Sequence, residues 1–136
     1  VYRAPAAPGA AGPEPQAPPM EAVWRRRLTP DEVMLYRYSA LTYNGHRIHY
    51  DYPYVTGEEG YDGLIVHGPL TATLLLDLIA REQPSQKLTS VRFRALRPVY
   101  AGRELTIEAA PTDGGIEAWA VDADGAVAMR AAITVA

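Results

Sequence analysis

Residues 63–84 read GLIVHGPLTATLLLDLIAREQP, and this stretch decides the fold. Leu70, Leu74, Leu75, Leu78 and Ile79 are spaced for one face of a helix, yet Ala72 and Leu76 are apolar as well. A helix that is apolar on most sides is usually buried on most sides. Gly68-Pro69 marks its start, because proline fits the first helical turn, and Pro84 bounds its end.

Downstream, the period changes from that of a helix to that of strands. Residues 87–99, 104–110, 116–121 and 127–135 read as four strands, punctuated by Pro98, Ala101-Gly102, Asp113-Gly114-Gly115 and the turn at 122–125. Upstream, residues 21–28 alternate as a first strand. Thr29-Pro30-Asp31-Glu32 then predicts a helix start, with Thr29 as N-cap, Pro30 at the first helical position and Glu32 completing a capping box. That helix is expected to run to about Leu41. Residues 42–62, rich in Tyr, Gly, Asp and Pro, read as irregular with at most a short turn near Tyr54.

The order is strand, short helix, irregular segment, long apolar helix, then four antiparallel strands. One buried helix needs a sheet wrapped around it to cover its faces. The expectation is an α+β chain with a single hotdog fold, a curved antiparallel sheet around one long central helix. Residues 4–19, APAAPGAAGPEPQAPP, cannot bury a core and tend toward extended polyproline II. The expected division is a Pro/Ala-rich linker or tail over residues 1–19 and the hotdog domain over residues 20–136.

Bulk properties exclude several classes. A formal charge of -3 without a basic face argues against nucleic acid as a partner. No apolar run approaches the roughly 20 residues of a membrane span. The absence of cysteine rules out disulfides and thiolate zinc sites and fits a reducing, cytoplasmic compartment. Val1 opens the chain without methionine or a visible signal peptide, and is read as a cleavage or an engineered boundary.

All three histidines fall between Tyr43 and Gly68. An apolar run ending in His67-Gly68 at a helix N-terminus leaves the Gly68 backbone N–H free beside the positive end of the dipole. Glycine lets a ligand carbonyl approach closely, and such an N–H can polarise a thioester oxygen and stabilise an enolate. His46 and His49, three apart with Asp51 and Asp62 nearby, raise the idea of a metal. The lack of cysteine and of a second carboxylate at helical spacing leads to the expectation of none.

The segment Tyr43-Asn44-Gly45-His46-Arg47-Ile48-His49, followed by Ile65-Val66-His67-Gly68, resembles the MaoC-like hydratase/dehydratase family of hotdog proteins. That family's motif has Gly-Asp, a variable residue, Asn-Pro, an aliphatic residue and His. Tyr43 takes the Gly position, Asn44 the Asp, His46 the Asn, Arg47 the Pro and His49 the His. Residues 39–51 further resemble the branch that holds itaconyl-CoA, mesaconyl-C4-CoA and 3-methylfumaryl-CoA hydratases and the mitochondrial 3-hydroxyacyl-thioester dehydratase. In its bacterial members a first hotdog half joins a catalytic second half through a Pro/Ala-rich linker, and this chain is similar to the second.

The resemblance implies water addition to, or loss from, a short enoyl-CoA, branched or dicarboxylic, with no cofactor beyond the CoA thioester that is the substrate. His49, ordinarily titrating near 6.5, becomes the base, Asn44 its orienting partner and Gly68 the oxyanion donor. Asn44 cannot take a proton at neutral pH, which is where the chain departs from the family. Arg47, Arg92 and Arg94 are candidates for a substrate carboxylate or the CoA phosphates. Tyr43 and Tyr50 are candidates for the acyl pocket, and His67 for the substrate-binding helix start. The expected assembly is a homodimer, or a heterodimer with a second hotdog half. A non-catalytic hotdog subunit and an acyl-CoA thioesterase are the competing readings.

Overall fold

The computed structural model describes residues 14–136. Most of the expected linker, residues 1–13, lies outside the described residues. Five strands, β1 (Trp24–Leu28), β2 (Leu88–Ala95), β3 (Leu105–Thr112), β4 (Gly115–Val121) and β5 (Val127–Val135), form one antiparallel sheet in the order β1-β3-β4-β5-β2. Three helices precede β2: α1 (Glu32–Thr42), α2 (Tyr52–Gly57) and α3 (Gly68–Glu82).

Helix α3 packs across β1, β3, β4 and β5. Leu75, Leu78 and Ile79 meet Leu105, Ile107, Ala118 and Ile133 in the core. Ala72 is buried with them. Small residues on the strands let the helix sit close to the sheet, as Ala109, Ala118, Ala120 and Ala131 do here. The β4–β5 register shifts between Ala120 and Val121 and the β2–β5 register between Leu88 and Ser90, irregularities that bend a sheet.

Strand alternation assigns the faces. Val91 pairs with Ile133 and Phe93 with Ala131, which puts both on the side of α3. Arg92 and Arg94 pair with Ala132 and Arg130 on the outer side, where Arg130 also meets Glu117. The outer face has its own buried group. Trp119 Nε1 donates to Glu108 at 2.6 Å and Arg25 Nε to the same carboxylate at 2.5 Å. Gln16 lies against the sheet too, its carbonyl accepting from Val127 N at 2.8 Å.

Three expectations about local structure are corrected. The cap of α1 is Asp31, whose Oδ1 accepts from Met34 N at 2.7 Å, so the helix starts two residues later than the Thr29 cap implied. Pro30 instead is buried and its carbonyl accepts from Gly102 N at 2.8 Å. Residues 42–62 are more ordered than expected, with a 3-10 turn over Arg47–His49 and the short helix α2, capped by Asp51. The strand expected over 87–99 stops at Ala95; Leu96 and Arg97 both donate to the carbonyl of Ala128.

Candidate active site

Helix α1 ends on Tyr43 in the left-handed conformation, φ 53°. This is the position where the resembling motif carries glycine, and it turns the chain sharply toward the histidines. Asn44 N then donates to Ser39 O at 2.9 Å, and Asn44 Oδ1 accepts from His46 N at 3.0 Å, an Asx-type turn. Tyr50 Oη closes the loop by donating to Gly45 O at 3.1 Å. The 3-10 turn that follows throws His49 inward, where it is 6% exposed.

His49 Nδ1 lies 2.7 Å from the carbonyl of Ile65. A carbonyl only accepts, so the proton sits on Nδ1 and the neutral ring carries its lone pair on Nε2. That nitrogen makes no hydrogen bond among the described residues and is not sealed from solvent. Burial lowers the affinity of the ring for a second proton, the Ile65 carbonyl works against that shift, and His46, 5.8 Å away ring to ring, adds to it. His49 is therefore a base that stays unprotonated somewhat below the ordinary histidine range.

Under His49 lies His67. The rings are stacked at 3.6 Å with 16° between planes. His67 is 1% exposed, and burial, aided by the charge of a protonated His49, brings its pKa down to about 4. Its Nε2 is 2.8 Å from Ser39 Oγ, while Nδ1 is buried with no partner. The next residue, Gly68, opens α3, and the first amides of a helix have no partner inside it. Gly68 and Thr71 line a cavity of ≈ 290 Å³ with Ile65, Pro98, Val99 and Met129. A Cβ on Gly68 would meet nothing nearer than Met129 Cε at 3.9 Å, so the protein itself does not require glycine there.

The structure stacks His49 on His67, the residue that precedes Gly68. His49 and Asn44 do not line the Gly68 cavity. Asn44 shapes the turn through its bond to His46 N, and no hydrogen bond links it to His49 among the described residues. Arg47 is engaged locally, 2.9 Å from Asp51 and 4.0 Å from the centre of the Tyr54 ring. That pairing and the Tyr54 amide hold the Asp51 carboxyl below its ordinary range, the amide foremost. Arg92 and Arg94 stand on the outer face of β2, away from α3, and Tyr43 is 97% exposed.

Two residues at the site escaped the sequence reading. Ser39 touches His67 across 28 positions of chain, which no local pattern signals. Arg97 borders the Gly68 cavity and pairs with Asp122 at 3.0 Å. No group of three or more His, Asp or Glu that could hold a metal occurs among the described residues.

A five-stranded antiparallel sheet against one long helix, with a buried histidine pair at the helix N-terminus, defines a hotdog protein. Solved structures agree on the fold. The (R)-hydratase from A. caviae involved in PHA biosynthesis superposes with a TM-score of 0.68 at 22% identity, over 86% of this chain and 97% of that one. A chain of the ChsH1–ChsH2 complex from Mycobacterium tuberculosis does so at 0.70 and 19% identity, over 82% and 91%. The profile of the family "Hydroxyacyl-thioester dehydratase type 2" matches residues 1–101, and the chain belongs to that family. It is 43% identical over 98% of its length to mesaconyl-C(4)-CoA hydratase from Chloroflexus aurantiacus. The match spans 47% of that relative and smaller shares of two others, so the chain covers less than half the length of the curated relatives it matches.

Proposed function

We propose that this chain is a catalytic domain that adds water to, or removes it from, the α,β double bond of a short enoyl-CoA, with branched dicarboxylic acyl groups the first to try. One observation carries the reading: His49 is buried in a single tautomer with Nε2 unpaired, stacked on the residue that precedes the free Gly68 amide. The identity to a mesaconyl-C(4)-CoA hydratase supports the substrate class.

In the hydration direction, the thioester oxygen accepts from Gly68 N–H, which draws electrons from the double bond and leaves the β-carbon electrophilic. His49 Nε2 takes a proton from water as its oxygen bonds to the β-carbon, and the π pair moves onto the enolate. The imidazolium then returns its proton to the α-carbon, the thioester carbonyl re-forms, and the enzyme is unchanged. The sequence is redox-neutral and asks for no cofactor beyond the CoA that the substrate carries. Asn44 has its oxygen committed to His46 N, which leaves its amide NH₂ to orient the water. Arg97, beside the cavity, is better placed than Arg92 or Arg94 for an acyl carboxylate.

The assembly we favour is a homodimer, or a pairing with a second hotdog half, joined along β2. That edge strand exposes Val91 and Phe93 on the side of α3. A cysteine-free chain suits a cytoplasmic compartment. No helix among the described residues is long and apolar enough to cross a membrane.

The experiment is loss of enoyl absorbance on mixing the chain with mesaconyl-C4-, itaconyl- and crotonyl-CoA. Turnover of at least one supports the reading, and release of free thiol without hydration would replace it with a thioesterase. Asn44 at the position of the family's Asp favours a second reading, a non-catalytic subunit. Activity that appears only with a partner carrying its own Asp and His would establish it.

A further inference from the structure

Ser39 sits on the last full turn of α1 and is half-buried, and nothing in the proposed chemistry uses it. Its hydroxyl is the sole hydrogen-bond partner of the His67 ring among the described residues. His67 in turn supports one whole face of His49 and has Tyr38 packed edge-on against it at 4.9 Å.

The protonation of His67 follows from what surrounds it. With Nδ1 buried and unpartnered, a proton there would be an orphaned donor, which proteins avoid more strictly than an unused lone pair. The neutral ring therefore carries its proton on Nε2 and donates it to Ser39 Oγ. Among the described residues, the ionisable or polar groups that meet the two stacked rings are Ser39 and Tyr38 from α1, His46 from the loop and the Ile65 carbonyl. No carboxylate and no guanidinium contributes to the protonation of either ring.

We propose that Ser39 is a positioning residue: by accepting the Nε2 proton of His67 it clamps that neutral ring flat beneath His49, and so fixes the plane of the catalytic imidazole. This rests on the reading of His49 as the base. Without the hydroxyl, the His67 ring loses its one hydrogen bond among the described residues, and it rotates or admits water to recover one. His49 then keeps its bond to Ile65 but loses its flat support, and Nε2 wanders from the line of attack. Misplacement of a catalytic group by a fraction of an ångström lowers the rate of the chemical step rather than substrate binding.

The test compares Ser39→Ala and Ser39→Thr with the parent chain. Alanine is the stronger helix former, so α1 and the fold are expected to survive. Nitrogen-15 NMR of the imidazoles comes first, because it needs no substrate. The parent should show His67 as the Nε2–H tautomer and His49 as the Nδ1–H tautomer. In Ser39→Ala, His67 should lose that single tautomer and His49 should titrate closer to 6.5, while Ser39→Thr restores both. In turnover, Ser39→Ala should lower kcat about tenfold with KM within about twofold, and move the acid limb of the pH profile upward. Unchanged imidazole signals in Ser39→Ala, or a Thr variant that behaves like Ala, would overturn the proposal. A parent chain that hydrates nothing sinks the functional reading alone, since the NMR result still decides the role of Ser39.

Discussion

His49 and His67 are two neutral rings pressed together in a place that resists a positive charge, and this has a consequence for stability that is separate from catalysis. Both bind a proton less readily folded than unfolded, His67 with a pKa of about 4 against the ordinary 6.5. Between those values the unfolded chain holds more protons, so stability is fully present above 6.5 and is lost as pH falls toward 4. For His67 the loss amounts to at most about 3 kcal/mol. Urea unfolding at pH 7 and at pH 5 should show it, and His67→Gln should flatten the difference; an equal difference in the variant would refute the assignment. Gly68 offers a complementary test. Because a Cβ there meets only Met129 Cε at 3.9 Å, Gly68→Ala should fold with stability within about 1 kcal/mol of the parent. Its kcat/KM should nevertheless fall about 10²-fold, since the methyl group occupies the approach of the thioester oxygen.

At the scale of elements, the central helix was legible because its apolar residues surround it and Gly68-Pro69 announces its start. The strands were legible from alternation and from turns such as Asp113-Gly114-Gly115. Residues 42–62 were not, because their order comes from single side-chain bonds, Asp51 to the Tyr54 amide and Asn44 to the His46 amide, rather than from periodicity. The start of α1 departs from its sequence expectation for a related reason. Thr29 and Asp31 both suit a cap, and only the burial of Pro30 beneath Gly102 N leaves Asp31 at the helix end. Among the candidate site residues, His49, His67 and Gly68 stand out in the sequence by type and spacing. Ser39 and Arg97 depend on tertiary packing that the chain order conceals. The cap makes its own prediction: Asp31→Ala should cost about 1 kcal/mol in thermal or urea unfolding, whereas Thr29→Ala should cost less than half of that.

The whole molecule presents an incomplete surface. Helix α3 covers β1, β3, β4 and β5, while β2 at the sheet edge leaves Phe93 48% exposed on the same side. Unpaired edges with apolar residues associate readily. Sedimentation should therefore find a dimer, and Phe93→Glu should convert it to monomer with little change in the fold; a monomeric parent would contradict the edge assignment. A dimer joined along β2 would also bring the partner close to the Gly68 cavity, which Ala95 at the end of β2 lines. The division of labour between His49 and Gly68 stands or falls on a single comparison. Hydration of mesaconyl-C4-CoA near pH 7.5 should proceed with the parent chain and fall about 10²- to 10⁴-fold in kcat for a folded His49→Gln variant. Undiminished hydration by that variant would contradict the account.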